Sequence, residues 1–334
     1  MERLPSLPVS IFGSTVALAG LGAGFRTGHS LYGLPLFFGA LLTYICWVTF
    51  AALIIAYTLK WVHYRSKVLE ELRHPVTAHF AGTFFISAVL ISGLTVNYSM
   101  TAGRVIWLAG AGGGLLFMYV LTERLFSGNL SATNTMPALL IPGLTTLNAA
   151  TAEAVMKFGN VGNHVDMFLF SIGIIYTFTF FVLIAYRMTH YDPLSNFLKP
   201  SFLLMCAPFE IGFQTYVSIT RQVDLFASVI FYFGLFIYVV IFFLVFTKSL
   251  TFELSWWGAC FSTGALTNAA LRYAAISGDT IIRYIGGIML LALTGLVLIT
   301  AYYSLRQLFF PRQGPPPVQS APAALSLSQQ ATTN

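Results

Sequence analysis

The chain has 334 residues, of which 57% are apolar and only 8% are charged, and its mean hydropathy is +0.79. A soluble domain carries about 25% charged residues, so composition excludes an ordinary soluble protein and points to a chain that crosses a membrane many times. The formal net charge of +6 is read as loop charge on such a protein, with no nucleic-acid partner.

The N-terminal stretch MERLPSLPVS has no clear cleavage site, so the first apolar segment is expected to stay in the protein. A helix needs about 20 apolar residues to cross the hydrocarbon core. On that length, ten segments qualify: 6–25, 34–58, 77–97, 103–122, 136–156, 165–186, 200–219, 224–247, 252–273 and 280–304. Between the second and third, KWVHYRSKVLEELRHPV reads as a short interfacial linker helix. Residues 1–310 form one transmembrane domain on this reading. Residues 311–334, rich in Pro, Ser, Gln and Ala, read as a disordered cytoplasmic tail. Eleven of the 17 Lys and Arg residues fall on one side of the spans, which makes both termini cytoplasmic.

The ten segments alternate in kind. The even ones are bulky and apolar, as in DLFASVIFYFGLFIYVVIFFLVF. The odd ones carry small, hydroxyl and helix-breaking residues, as in MPALLIPGLTTLNAATAEAV. Five repeated helical hairpins of about 60 residues account for the pattern, with one helix of each facing inward and the other outward. Polar groups are tolerated in a membrane where they line a cavity or pair with neighbours. The fold class is therefore all-α integral membrane, with ten helices as five hairpins around a central pore. Small residues that merely allow close helix packing would leave the same trace at any single position.

The ninth segment, SWWGACFSTGALTNAAL, is the most informative. At 3.6 residues per turn, Trp257, Phe261, Gly264, Asn268 and Arg272 lie near one face. If that face meets the axis, Phe261 projects into a lumen of small residues, and a hydrophobic constriction gates by dewetting.

Together with RHPV at Arg73–Val76, the IPG and APF prolines Pro142 and Pro208, and IFG at Ile11–Gly13, this helix resembles the tellurite-resistance/dicarboxylate-transporter family. That family includes the bacterial TehA-like proteins and the plant guard-cell slow anion channels. The resemblance covers about residues 5–308. It implies five hairpins around a quasi-fivefold axis, a homotrimer with one pore per protomer, and a gate phenylalanine that maps onto Phe261. It also implies a bacterial inner-membrane location and small inorganic or organic anions as partners. The expected lining is Phe12, Phe84, Pro142, Thr146, Pro208, Glu210, Phe213, Gly264 and Asn268.

The chain departs from the family at two points. Inner-helix prolines of relatives are replaced by Thr15 and Phe85, so only Pro142 and Pro208 remain as kinks within spans, and Phe85 is placed to crowd the path. Glu210 is a carboxylate in a segment read as pore-facing, where it repels an anion unless it carries a proton; Gln214, one turn on, is placed to donate to it. Glu153 is expected at a water-accessible end of the fifth span.

The three cysteines lie in apolar runs without metal spacing, and His79, the one histidine well inside a span, reads as a packed residue. No phosphate loop, metal motif or nucleophile elbow is present, so neither an enzyme nor a cofactor is expected. Two functions remain: an anion-selective channel gated by a phenylalanine, or a proton-coupled carrier of C4-dicarboxylates, sulfite or tellurite-type oxyanions.

Overall fold

A computed structural model describes residues 4–128, 134–191, 199–246, 252 and 254–309, and among them every regular element is helical. The C-terminal tail 311–334 lies outside the described residues. The α-helices are α1 (Gly13–Tyr32), α2 (Leu36–His63), α3 (Arg65–Arg73), α4 (Gly82–Thr95), α5 (Met100–Phe126), α6 (Ile141–Met156), α7 (Asn160–His190), α8 (Ala207–Thr220), α9 (Leu225–Phe246), α10 (Trp256–Ser277) and α11 (Thr280–Phe309). The short α3 is the linker helix expected between the second and third spans.

Among the described residues, nine helical segments are long and apolar enough to cross a membrane. The exception to the ten expected is α10, whose small, hydroxyl and amide residues lower its hydropathy. At 22 residues it is still about 33 Å long. It packs against α1, α8, α9 and α11, and so needs little lipid-compatible surface.

Burial follows the alternation in the sequence. Between 61 and 83% of the central residues are buried in the segments containing α1, α4, α6 and α8, against 17 to 33% in α2, α5, α7, α9 and α11. Each well-buried helix packs on its successor: α1 on α2, α4 on α5, α6 on α7, α8 on α9 and α10 on α11. The buried helices also pack on one another, α1 on α4, α4 on α6, α6 on α8, α8 on α10 and α10 on α1, so the contacts return to their start.

Local structure repeats as well. A 3-10 turn precedes four of the buried helices: Val9–Phe12 before α1, Thr77–Ala81 before α4, Pro137–Leu140 before α6 and Lys199–Met205 before α8. A left-handed residue follows four of them, namely Gly33, Lys157, Arg221 and Gly278. Such a residue ends a helix and turns the chain back.

Pro142 and Pro208 are not kinks. They sit in the first turns of α6 and α8, just after the 3-10 turns. Proline lacks an N–H, and the first-turn donors have no partner inside the helix, so these prolines start the α-helices at no cost in hydrogen bonds.

Candidate functional site: two cavities that meet at Phe261

Two cavities lie along the buried helices. One, of about 480 Å³, is bordered by the N-terminal parts of the five segments that contain α1, α4, α6, α8 and α10. The other, of about 430 Å³, is bordered by the C-terminal parts of the same five. They are called inner and outer here after the loop-charge expectation. On each helix the lining forms one stripe at helical spacing. On α1 it is Gly13, Val16, Gly20, Ala23 and Thr27; on α4 it is Ile86, Leu90 and Gly93, with Asn97 just past the helix end. On α6 it is Ile141, Asn148, Thr151 and Val155, and on α8 Ile211 and Gln214. On α10 it is Trp257, Phe261, Gly264, Asn268 and Arg272, the face picked out from the sequence.

Two residues border both cavities, Val16 of α1 and Phe261 of α10. Val16 is buried, and Phe261, in the second turn of α10, is half-buried.

The two spaces differ in charge. The inner cavity is largely apolar, and its one carboxylate, Glu71, accepts from Lys60 Nζ at 2.6 Å and from Tyr57 Oη at 2.9 Å. The outer cavity is bordered by Arg26, Arg272 and the amides of Asn97, Asn148, Gln214 and Asn268, with no Asp or Glu in its lining. Arg26 is held by Thr43 Oγ1 at 3.1 Å and Tyr98 Oη at 3.2 Å. Arg272 makes no hydrogen bond or ion pair among the described residues. The amides are braced by backbone carbonyls. Asn268 donates to Gly20 O and Gly264 O, Asn148 to Leu144 O, and Gln214 to Ala265 O.

Of the lining expected from sequence, Phe261, Gly264 and Asn268 border these cavities and seven residues do not. Phe12 and Phe84 pack edge-on at 5.2 Å within an aromatic cluster that reaches Phe50 and Tyr57 of α2. Pro142 is buried in the first turn of α6. Thr146 faces Gly173 of α7 and donates to Gly143 O. Pro208 is buried in the first turn of α8. Phe213 stacks on Tyr273, with ring centroids 5.7 Å apart. Glu210 faces Gly234 of α9, with neither carboxylate oxygen hydrogen-bonded, and Gln214 donates to backbone carbonyls instead of to its side chain. Phe85 packs edge-on against Phe84 and tilted against Phe117, and does not border either cavity. Glu153 is buried beside Gly162 of α7, away from the water expected there.

Several hydroxyl and thiol residues of the well-buried helices bond to neighbouring helices. Thr263 bonds Tyr238 of α9 at 2.9 Å, Thr267 donates to Met289 O of α11, and Cys260 donates to Thr300 of α11. Thr215 of α8 donates to Leu147 O of α6. In a bilayer such bonds replace water as the partner of a polar group. Sequence reasoning missed the lining role of Val16, Asn148 and Gln214. The signal was present as helical spacing on their own helices, but the phase of each stripe needed a known neighbour.

A many-span helical membrane protein with two cavities along its buried helices, one of them bordered by arginines and amides, has the features of transporters and channels. Residues 6–305 match the family described as SLAC1, voltage-dependent anion channel, and the chain belongs to that family. It is 25% identical over 283 residues to the S-type anion channel SLAH1 of Arabidopsis thaliana, covering 80% of this chain and 71% of that protein. It is 21% identical over 293 residues to the S-type anion channel SLAH3 of the same plant, covering 82% of this chain and 44% of that one. It is 23% identical over 269 residues to a Methanocaldococcus jannaschii protein described as uncharacterized transporter MJ0762, covering 74% and 78%. The plant slow anion channels are members of the family that the ninth-helix, RHPV and proline motifs resemble.

Proposed function

We propose that the chain is a passive anion channel whose path runs through both cavities and is closed between them by Phe261. One observation carries this reading: Phe261 and Val16 border both spaces, so removing the ring would join them. The closed circuit of contacts among α1, α4, α6, α8 and α10 would form the wall of the path, and the paired helices its outer layer. That arrangement is five hairpins around a quasi-fivefold axis. The family resemblance further implies a homotrimer with one such path per protomer.

Anions are favoured because Arg26 and Arg272 border the outer cavity without an acidic neighbour in the lining. The plant relatives described as S-type anion channels point the same way. Passive flux is favoured because Glu210, the carboxylate considered for proton coupling, borders neither cavity. Loop charge favours both termini cytoplasmic, which puts the largely apolar cavity inside, and the family resemblance favours a bacterial inner membrane.

The test is voltage clamp of Phe261→Ala in planar bilayers under a chloride gradient. The reversal potential should follow the chloride gradient and ignore a pH gradient, and iodide and nitrate should permeate ahead of chloride. A reversal potential that moves with the pH gradient, or saturable uptake of one dicarboxylate, would make the protein a carrier.

A further inference from the structure

A third cavity, of about 430 Å³, lies at the end of the bundle that carries α3. It is bounded by the turn at His74–Pro75, by the start of the third span, and by the last turns of α5. It shares only the exposed His74 with the inner cavity's lining, and the channel reading gives it no task.

Its charged and titratable lining is Arg73, His74, His79, Glu123 and Arg124. Arg73 is exposed and makes no ion pair or hydrogen bond among the described residues. Arg124 gives one N–H to Leu72 O at 2.8 Å, which leaves the rest of its guanidinium free. His74 Nδ1 accepts from the N–H groups of Val76 and Thr77, both at 3.2 Å, so its proton sits on Nε2 as a free donor. His79 is 3% exposed. Its ring lies near the carbonyls of Pro75 and Val76 but closes no well-formed hydrogen bond with either nitrogen. A buried donor left unpaired is costly, so a polar ligand at that depth is favoured. The single opposing charge is Glu123, exposed at the rim.

Apolar surface adjoins this cationic pocket. Phe126, 87% exposed, ends α5 beside it, and Leu116 and Tyr119 continue an exposed face along the same helix. A guanidinium pair matches phosphate oxygens, and an exposed apolar helix face takes an acyl chain. We propose that this cavity binds a phosphate group through Arg73, Arg124 and a ring N–H of His79, the phosphate being that of an anionic phospholipid whose acyl chains lie along α5.

Native mass spectrometry of the full chain in detergent tests this, with phosphatidylglycerol and phosphatidylcholine as probes. The wild type should retain phosphatidylglycerol, and Arg73→Gln/Arg124→Gln should lose roughly tenfold or more in affinity, since each basic group near an anionic headgroup contributes about one factor of five. Glu123→Gln should retain the lipid more tightly. If the double variant is unstable, Arg73→Gln alone carries the comparison, because it breaks no hydrogen bond within the chain. Displacement of the lipid by excess inorganic phosphate, lost in the same variants, would assign the pocket to free phosphate and keep the phosphate chemistry. Equal retention of phosphatidylglycerol by wild type and variants, or equal retention of both lipids by the wild type, would overturn the proposal.

Discussion

Arg272 lies on the face of α10 that carries Phe261, eleven residues further along and about 16 Å away by helical rise. In a water-filled cavity at 0.1 M salt the screening length is about 10 Å. On the proposed path its charge would therefore act on the anion population of the outer cavity more than on a barrier at Phe261. In the Phe261→Ala background, Arg272→Gln should lower chloride conductance several-fold at low ionic strength and little at high salt, as measured in planar bilayers. Arg26 bears the same charge in the same lining, but Thr43 and Tyr98 hold it against the wall. Glu210 gives a prediction of the opposite kind. It borders neither cavity, so Glu210→Gln should leave the dependence of anion current on pH unchanged in that background. A flattened dependence would bring the carboxylate back into the path.

At the scale of the helices, close packing depends on small residues that face one another. A Cβ on Gly143 of α6 would meet Thr177 at 2.6 Å, and one on Gly173 of α7 would meet Thr146 at 2.6 Å. Gly143→Ala and Gly173→Ala should each cost about 1–3 kcal/mol as overpacking, read as a lower melting temperature in detergent. The start of α9 depends on Asp224. Its carboxylate accepts from Ala227 N–H at 2.9 Å and from Tyr216 Oη at 2.6 Å, and these bonds hold it below the usual carboxylate range. A lowered carboxyl stabilises the fold above its unfolded pKa of about 4 and loses that effect as pH falls through its folded value. Asp224→Ala should therefore melt earlier than wild type at neutral pH, with the gap closing toward strongly acid pH.

The helices themselves were legible in the sequence because bulky and small segments alternate at membrane length. The face of α10 was legible too, because Trp257, Phe261, Gly264, Asn268 and Arg272 share a helical phase. Three things were not. The switch from 3-10 to α at Pro142 and Pro208 looks like a kink in sequence, since proline carries no mark of which turn it occupies. The hydroxyls of Thr146, Thr215, Thr263 and Thr267 look like lumen residues, since composition does not say whether a polar group meets water or a neighbouring helix. Glu210 looks pore-facing for the same reason, and only contact with Gly234 of α9 places it.

For the whole molecule, the buried helices close on themselves and leave space at both ends but little between. Binding the five together are bonds such as Asn268 to Gly20 O and Gln214 to Ala265 O, which fix α10 between α1 and α8. Phe261 is therefore carried on a helix braced on both sides, and its ring size should set the width of the junction while the frame stays put. The direct measurement is single-channel conductance in planar bilayers across the series Phe261, Phe261→Leu, Phe261→Val and Phe261→Ala, with melting temperatures recorded alongside. A hydrophobic constriction predicts that anion conductance rises stepwise as the side chain shrinks, roughly tenfold or more in total, with the fold intact. Equal currents across a well-folded series would contradict a path closed by this residue.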